Sequence, residues 1–211
     1  MEGGIKEQIL REATRRFATR GFDGTSLQDI AAAVGIRKPS LLYHFPSKDD
    51  LRREVIDGAL ARWNDVLPRV LMAAAQSERL DAVMNEMVSF FADDPDRARL
   101  LVREILDRPD DMRERLRAYV RPWLEVVSRQ IERAKEQGLV HRDVDPDSYP
   151  MLVINLVVCG IAMAHTVEPL LPSGTGSRDD HKRLLREMLR IARASLYLPQ
   201  ASTRAADESS A

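Results

Sequence analysis

A single cysteine, Cys159, stands in the 211 residues, so no disulfide framework can hold this chain and a reducing compartment is expected. Aromatic residues are scarce at 5%, while Ala, Leu, Arg and Glu abound, a composition that favours helices over sheets. No segment alternates apolar and polar residues in the manner of a half-exposed strand, and no internal repeat occurs. The four histidines, His44, His141, His165 and His181, are scattered without an H-x-x-x-H pair, which argues against a helix-borne metal site. A phosphate loop, a nucleophile elbow and a dinucleotide fingerprint are all missing, so the sequence points to no catalysis and no cofactor. "DVDPD", Asp143 to Asp147, opens like a calcium loop. It then places Ser148 where glycine is required and Ile154 where the bidentate carboxylate belongs; a helix start at Asp145-Pro146 explains it better. The opening "MEGGIKEQILREATRRF" is charged throughout, unlike a secretory leader. One long apolar run exists, Met151 to Val167, but Asn155 and His165 interrupt it and no anchor cluster flanks it. It reads as a buried interface helix with His165 a satisfied core histidine, in a soluble, cytoplasmic protein with no membrane partner.

Charge is what the chain distributes unevenly. Through Lys48 there are eight basic and five acidic residues, a balance of +3; the remainder carries 24 basic and 28 acidic, or −4. This asymmetry suits a small nucleic-acid module on a larger acidic body. Helix signals are dense. Ile5, Ile9, Ala13 and Phe17 recur every fourth residue and predict a first helix over about 5–20. Ser26 with Asp29 predicts a capped helix from Leu27 to Val34, closed by Gly35; Pro39 suits the first turn of a third, ending near Phe45. Ser47 with Asp50 opens a long fourth helix towards residue 75, with Leu51, Val55, Ala59, Ile56, Leu60 and Trp63 on two interleaved ladders. Further helices are expected over about 77–92, 95–106, 109–137 (kinked by Pro122), 146–168 and 178–198, opened in turn by Ser77, Asp94, Pro109, Asp145 and Ser177. The expected organisation is all-α with about nine helices: residues 1–47 a helix-turn-helix domain, 48–198 a larger helical domain, and 199–211 a disordered tail.

The second and third helices, joined by Gly35-Ile36-Arg37, have helix-turn-helix dimensions. Leu27, Ile30, Ala31, Val34, Ile36, Leu41 and Phe45 supply their buried side, leaving Arg37, Lys38, Ser40, Tyr43 and His44 outward behind a stiffening Pro39. Such a face can place its first residues on base edges and its flanks on phosphates.

The stretch "GFDGTSLQDIAAAVGIRKPSLLYHFPSKDDL", Gly21 to Leu51, closely resembles the signature of the tetracycline-repressor (TetR) family of transcription regulators. Gly21, Phe22, Thr25, Ile30, Ala31, Gly35, Ile36, Leu41, Tyr43, His44, Phe45, Ser47 and Lys48 all fall in register. The resemblance implies contact with double-stranded DNA through Thr25, Ser26, Arg37, Lys38, Pro39, Ser40, Tyr43, His44 and Lys48, with Tyr43, His44 and Lys48 on phosphates. Leu42 departs from the pattern, standing where many members carry an aromatic. Family architecture would place Trp63, Met84, Met87, Phe91, Met112, Leu116, Tyr119 and Trp123 around a cavity for a small-molecule ligand of unknown identity. It also implies a homodimer built from the last two helices, through Leu152, Leu156, Gly160, Met163, Ala164, Leu185, Met188, Leu189, Ala192 and Leu196, and hence a palindromic operator. The function expected is a ligand-responsive repressor. The alternative is a small-molecule-binding helical protein that has lost DNA binding, for which Leu42 is the support.

Overall fold

The computed structural model describes residues 4–76, 81–172 and 178–198. Ten α-helices run through them: α1 (Ile5–Arg20), α2 (Leu27–Val34), α3 (Lys38–His44), α4 (Lys48–Gln76), α5 (Asp81–Ala92), α6 (Pro95–Asp107), α7 (Pro109–Tyr119), α8 (Arg121–Glu136), α9 (Ser148–Val167) and α10 (Arg178–Leu196). A 3-10 turn, Glu168–Leu170, follows α9. Among the described residues the one β-type pairing is an isolated antiparallel bridge between Val140 and Tyr197. The all-α expectation is met.

The head of the molecule is α1 to α3. Ile9, Ala13 and Phe17 bury one side of α1, whereas Ile5, the first of that stripe, lies exposed at its end. Both expected capping boxes form. The Ser26 hydroxyl oxygen accepts the Asp29 N–H at 3.1 Å and its O–H donates to the Asp29 carboxylate at 2.8 Å; Ser47 and Asp50 repeat this at 3.0 and 2.6 Å. Gly35 closes α2 in the left-handed conformation (φ 80°, ψ 24°), which lets the Ile36 N–H reach the Ala31 carbonyl at 3.0 Å. A side chain at Gly35 would strain that reversal, so the turn into α3 depends on glycine.

Elsewhere the structure departs from the sequence reading in three places. The helix expected over 109–137 is two, divided at Val120, because Pro122 has no N–H to offer the Ala118 carbonyl and its ring crowds the preceding turn. Val120 keeps right-handed helical angles (φ −105°, ψ −39°), so the chain bends there without unravelling. α9 begins at Ser148, and Pro146 lies in the turn before it; Asp145 still caps, its carboxylate accepting the Ser148 N–H at 2.6 Å and its carbonyl the Tyr149 N–H at 3.0 Å. That backbone N–H, with the Ser148 side chain, holds the Asp145 carboxyl below its ordinary value. His165 is not a core residue: it is exposed, with Arg99 on its Nδ1 at 3.3 Å and the Thr166 hydroxyl on its Nε2 at 3.2 Å. The caps assigned to Ser77 and Ser177, and the tail 199–211, fall outside the described residues.

α4 leaves the head beside α3 and packs on α1 and α5, while α6 lies against both α1 and α9. α9 touches α5, α6, α8 and α10, and buries Val153, Val157, Val158, Ile161, Ala162 and Ala164 among them. By length and composition the span Ser148–Leu170 could cross a membrane; its four packed neighbours account for the apolar residues of its buried side, while Met151, Leu152 and Met163 remain exposed. One hydrophobic cluster runs from Ile9 in the head to Tyr197 after α10. Head and body therefore share a core, and α4 and α6 are its bridges.

Candidate functional site

α3 buries only Leu41 among its seven residues, and Phe45 follows it into the core. Arg37, Lys38, Pro39, Ser40, Tyr43 and His44 are all exposed, Tyr43 at 86%. Tyr43 and His44 stand edge to face at 5.4 Å, presenting a phenol and an imidazole side by side. Among the described residues neither Arg37 nor Lys38 meets a carboxylate, whereas the basic residues of α1 are mostly compensated: Lys6 by Glu54, Arg11 by Glu7, Arg15 and Arg16 by Glu12. The Arg15 hydrogen bond, with help from Arg16, holds the Glu12 carboxyl low. The positive excess of the head is thus delivered at α3, where it can attract a polyanion.

Three expected DNA contacts look different in three dimensions. Thr25 is 2% exposed; its hydroxyl donates to the Gly21 carbonyl at 2.9 Å and lies 3.3 Å from that of Arg16, so it ties the α1–α2 turn and has no proton or surface left for DNA. Ser26 is exposed but engaged as the α2 cap. The Lys48 ammonium rests 4.1 Å from the centre of the Phe22 ring, a favourable cation–π contact that holds it beside the α1–α2 turn. Leu42 is half-buried, so an apolar side chain suits its place.

A cavity of about 460 Å³ opens in the body. Six of the eight expected residues line it: Trp63, Met87, Phe91, Met112, Leu116 and Trp123. Met84 instead borders a small apolar side pocket behind Met87 and Trp123, and Tyr119 lines neither. Ala59, Leu60, Phe90, Leu101, Ile105, Leu124, Ile154 and Val158 add apolar wall, which periodicity alone does not separate from plain core, and Arg113, Arg117, Arg121 and Asn155 are its polar members. Four of the chain's few aromatics gather here. Trp63 meets Phe90 at 5.2 Å, Phe91 at 6.2 Å and Trp123 at 5.4 Å, and Phe90 meets Phe91 at 5.0 Å. Among the described residues no three His, Cys, Asp or Glu side chains gather to hold a metal ion.

The cavity and the head share α4 and α6. On α6, Leu101 and Ile105 face the cavity, while Arg103 donates to the Ala18 carbonyl at 2.9 Å, capping the end of α1. Glu104, next along, accepts from Arg52 of α4 at 2.5 Å; both are buried. Arg52 also reaches Asp111 of α7 at 3.0 Å, and Arg115 joins Asp111 to Asp57. Burial would raise the Asp111 carboxyl, but the hydrogen bond from Arg52 and the charge of Arg115 outweigh it and hold it low. After α6, Arg108 lies 4.6 Å from the Phe22 ring that Lys48 also covers.

The expected interface residues divide in two. Leu152 (65% exposed) and Met163 (51%) form an outward apolar strip on α9 with half-buried Leu156, and Ile191 of α10 is exposed as well. Ala164, Met188, Ala192 and Leu196 are buried within their own chain, and Leu185 and Leu189 are half-buried. Gly160 belongs with the inner set: a Cβ there would meet the Met188 side chain at 2.2 Å, so the glycine admits a neighbour from α10 of the same protomer.

Two family models match the chain. "Bacterial regulatory proteins, tetR family" covers residues 9–55, and "Tetracyclin repressor-like, C-terminal domain" covers 77–191. Among curated relatives, the biofilm operon icaADBC HTH-type negative transcriptional regulator IcaR of Staphylococcus aureus (strain Newman) is 23% identical over 136 residues, 64% of this chain and 72% of the relative. Its namesake from Staphylococcus epidermidis is 35% identical over 65 residues, 31% of this chain and 35% of that one. Among solved structures, the ketosteroid transcriptional regulator KstR2 of Mycobacterium tuberculosis superposes with a TM-score of 0.68 at 17% identity, covering 94% of this chain and 98% of that one. A TetR transcriptional regulator from Chloroflexus aurantiacus gives 0.63 at 20% identity, covering 92% and 97%.

Proposed function

The chain belongs to the tetR family of bacterial regulatory proteins and is a DNA-binding, ligand-responsive transcription regulator; from that premise we propose that it is a homodimeric repressor, released from a palindromic operator when a small molecule fills the α4–α9 cavity. The observation that carries this reading is the double duty of α4 and α6, each of which walls the cavity and also holds α1 of the head, α4 through Glu54 on Lys6 and α6 through Arg103 on the Ala18 carbonyl.

On DNA, the first turn of α3 lies in the major groove, with Arg37, Lys38 and Ser40 on base edges and Tyr43, His44 and Lys48 on flanking phosphates. The exposed strip of Leu152, Leu156 and Met163 pairs with its copy about a twofold axis, which sets the separation of the two α3 helices. A regulator of this kind works in the cytoplasm, where the operator is. Selecting bound duplexes from a random pool tests the proposal: the enriched sequences should be inverted repeats whose half-sites lie about 34–36 Å apart. Enrichment of unpaired half-sites would remove the symmetric dimer. A chain that enriches nothing, at any salt concentration, would instead be a ligand-binding protein without a DNA function.

A further inference from the structure

We infer that the cavity takes an amphiphilic anion: an apolar body filling the hollow and a single acidic head held at its mouth by Arg113, Arg117 and Arg121. This rests on the reading of the cavity as the effector site. The volume, about 460 Å³, lies within the roughly 300–1,000 Å³ of small-molecule sites. The walls are almost wholly hydrocarbon and aromatic, so the larger part of the ligand is apolar.

The charge of the lining sets the remainder. Among the described residues its only ionisable side chains are those three arginines, and no carboxylate lines it. Arg113 and Arg117 are four residues apart on α7, hence on one face, and Arg121 opens α8 just past the bend at Val120. Arg113 pairs with Asp110 at 2.7 Å and Arg121 with Glu125 at 3.1 Å, both exposed pairs of the kind that exchange at little cost. Arg117 has neither an ion pair nor a hydrogen bond among the described residues. A guanidinium fork matches the two oxygens of an acid group. Deeper in, the Trp123 indole N–H is buried without a hydrogen-bond partner among the described residues, and the Trp63 indole and the Asn155 amide add further uncharged polar groups to the lining. A ligand oxygen within reach would relieve an N–H that is otherwise unsatisfied. Aromatic side chains can also cage a cationic head. Here the rings of Trp63, Phe90, Phe91 and Trp123 are largely turned edge to face on one another, and three arginines would repel such a head.

The chain's two tryptophans, Trp63 and Trp123, both line the cavity, so intrinsic fluorescence reports its occupancy. The full chain is titrated, below micellar concentrations, with dodecanoate, dodecanol and dodecyltrimethylammonium. Dodecanoate should bind at least about tenfold more tightly than dodecanol, equivalent to about 1.4 kcal/mol, and the cation most weakly. Arg117→Gln should remove most of that preference while leaving dodecanol binding and far-ultraviolet circular dichroism unchanged. Dodecyl phosphate, run alongside, separates a phosphate head from a carboxylate; tighter binding of either than of dodecanol supports the anion. Equal binding of dodecanoate, dodecyl phosphate and dodecanol overturns the anionic head and leaves the apolar cavity standing, and preference for the cation reverses the inference. Failure of all the probes to bind overturns the effector cavity itself.

Discussion

Thr25 and Arg37 illustrate two fates for polar side chains in one small domain. The Thr25 hydroxyl, buried and bonded to the Gly21 carbonyl, fixes the turn that sets α2 against α1. Thr25→Val keeps the shape and leaves that carbonyl without its donor, so unfolding by denaturant should show a loss of about 1–3 kcal/mol. Thr25→Ser should restore most of it, and neither variant should alter which bases the operator prefers. A change in base preference would return Thr25 to the DNA interface. Arg37, Lys38 and Ser40 are exposed and commit little within the chain. Alanine at whichever of them reads a base should cost about 1–3 kcal/mol of operator binding and relax specificity at one position. Three alanine variants with unaltered operator preference would place base readout elsewhere.

Helices one to four were readable from sequence almost to the residue, because capping boxes, a left-handed glycine and a four-residue stripe are local signals that the structure obeys. Pro122 was equally legible as a distortion, but whether a proline kinks a helix or divides it depends on what packs around it. The cavity and the interface were less legible, for a physical reason. Periodicity shows that Met188, Ala192 and Leu196 are apolar on one side of α10, not whether that side meets its own α9 or a second chain. They meet their own chain, as does Gly160, which lies under Met188. The two sets predict different outcomes. Gly160→Leu overpacks the α9–α10 contact and should destabilise the protomer by about 1–3 kcal/mol. Leu152→Glu with Met163→Glu places charge on the outward strip and should yield a folded monomer in sedimentation. A double variant that stays dimeric would move the interface off α9.

At the scale of the whole molecule, ion pairs of Arg52 and Arg115 join α4 to α6 and α7 within the body, and that makes this corner sensitive to acid. Asp111 has a carboxyl held below its ordinary value, so its contribution is present above the unfolded carboxylate range, near pH 4, and is lost as pH falls through the lower folded value. Asp111→Asn should therefore be less stable than the parent at neutral pH, and the two unfolding curves should converge below about pH 4. A gap that persists in acid would mean packing, not charge, holds that corner. On the proposed release by ligand, the regulatory signal would pass where α6 meets the head. α6 presents Leu101 and Ile105 to the cavity and, between them, Arg103 to the end of α1. A ligand that displaces α6 must therefore move the head or break the Arg103 tie. Repression falls only by the ligand's differential affinity for the two arrangements; a hundredfold loss of operator affinity needs about 2.7 kcal/mol, and DNA must weaken the ligand by the same factor. Arg103→Leu leaves the cavity wall and α3 untouched, so dodecanoate should bind the free protein as before. The ratio of operator Kd with and without saturating ligand should instead fall towards one, and the reciprocal effect of DNA on ligand Kd should fall with it, while sedimentation shows an intact dimer throughout. An unchanged ratio would route the coupling through α4 alone, and a dimer that dissociates on ligand binding would replace displacement of the heads with disassembly.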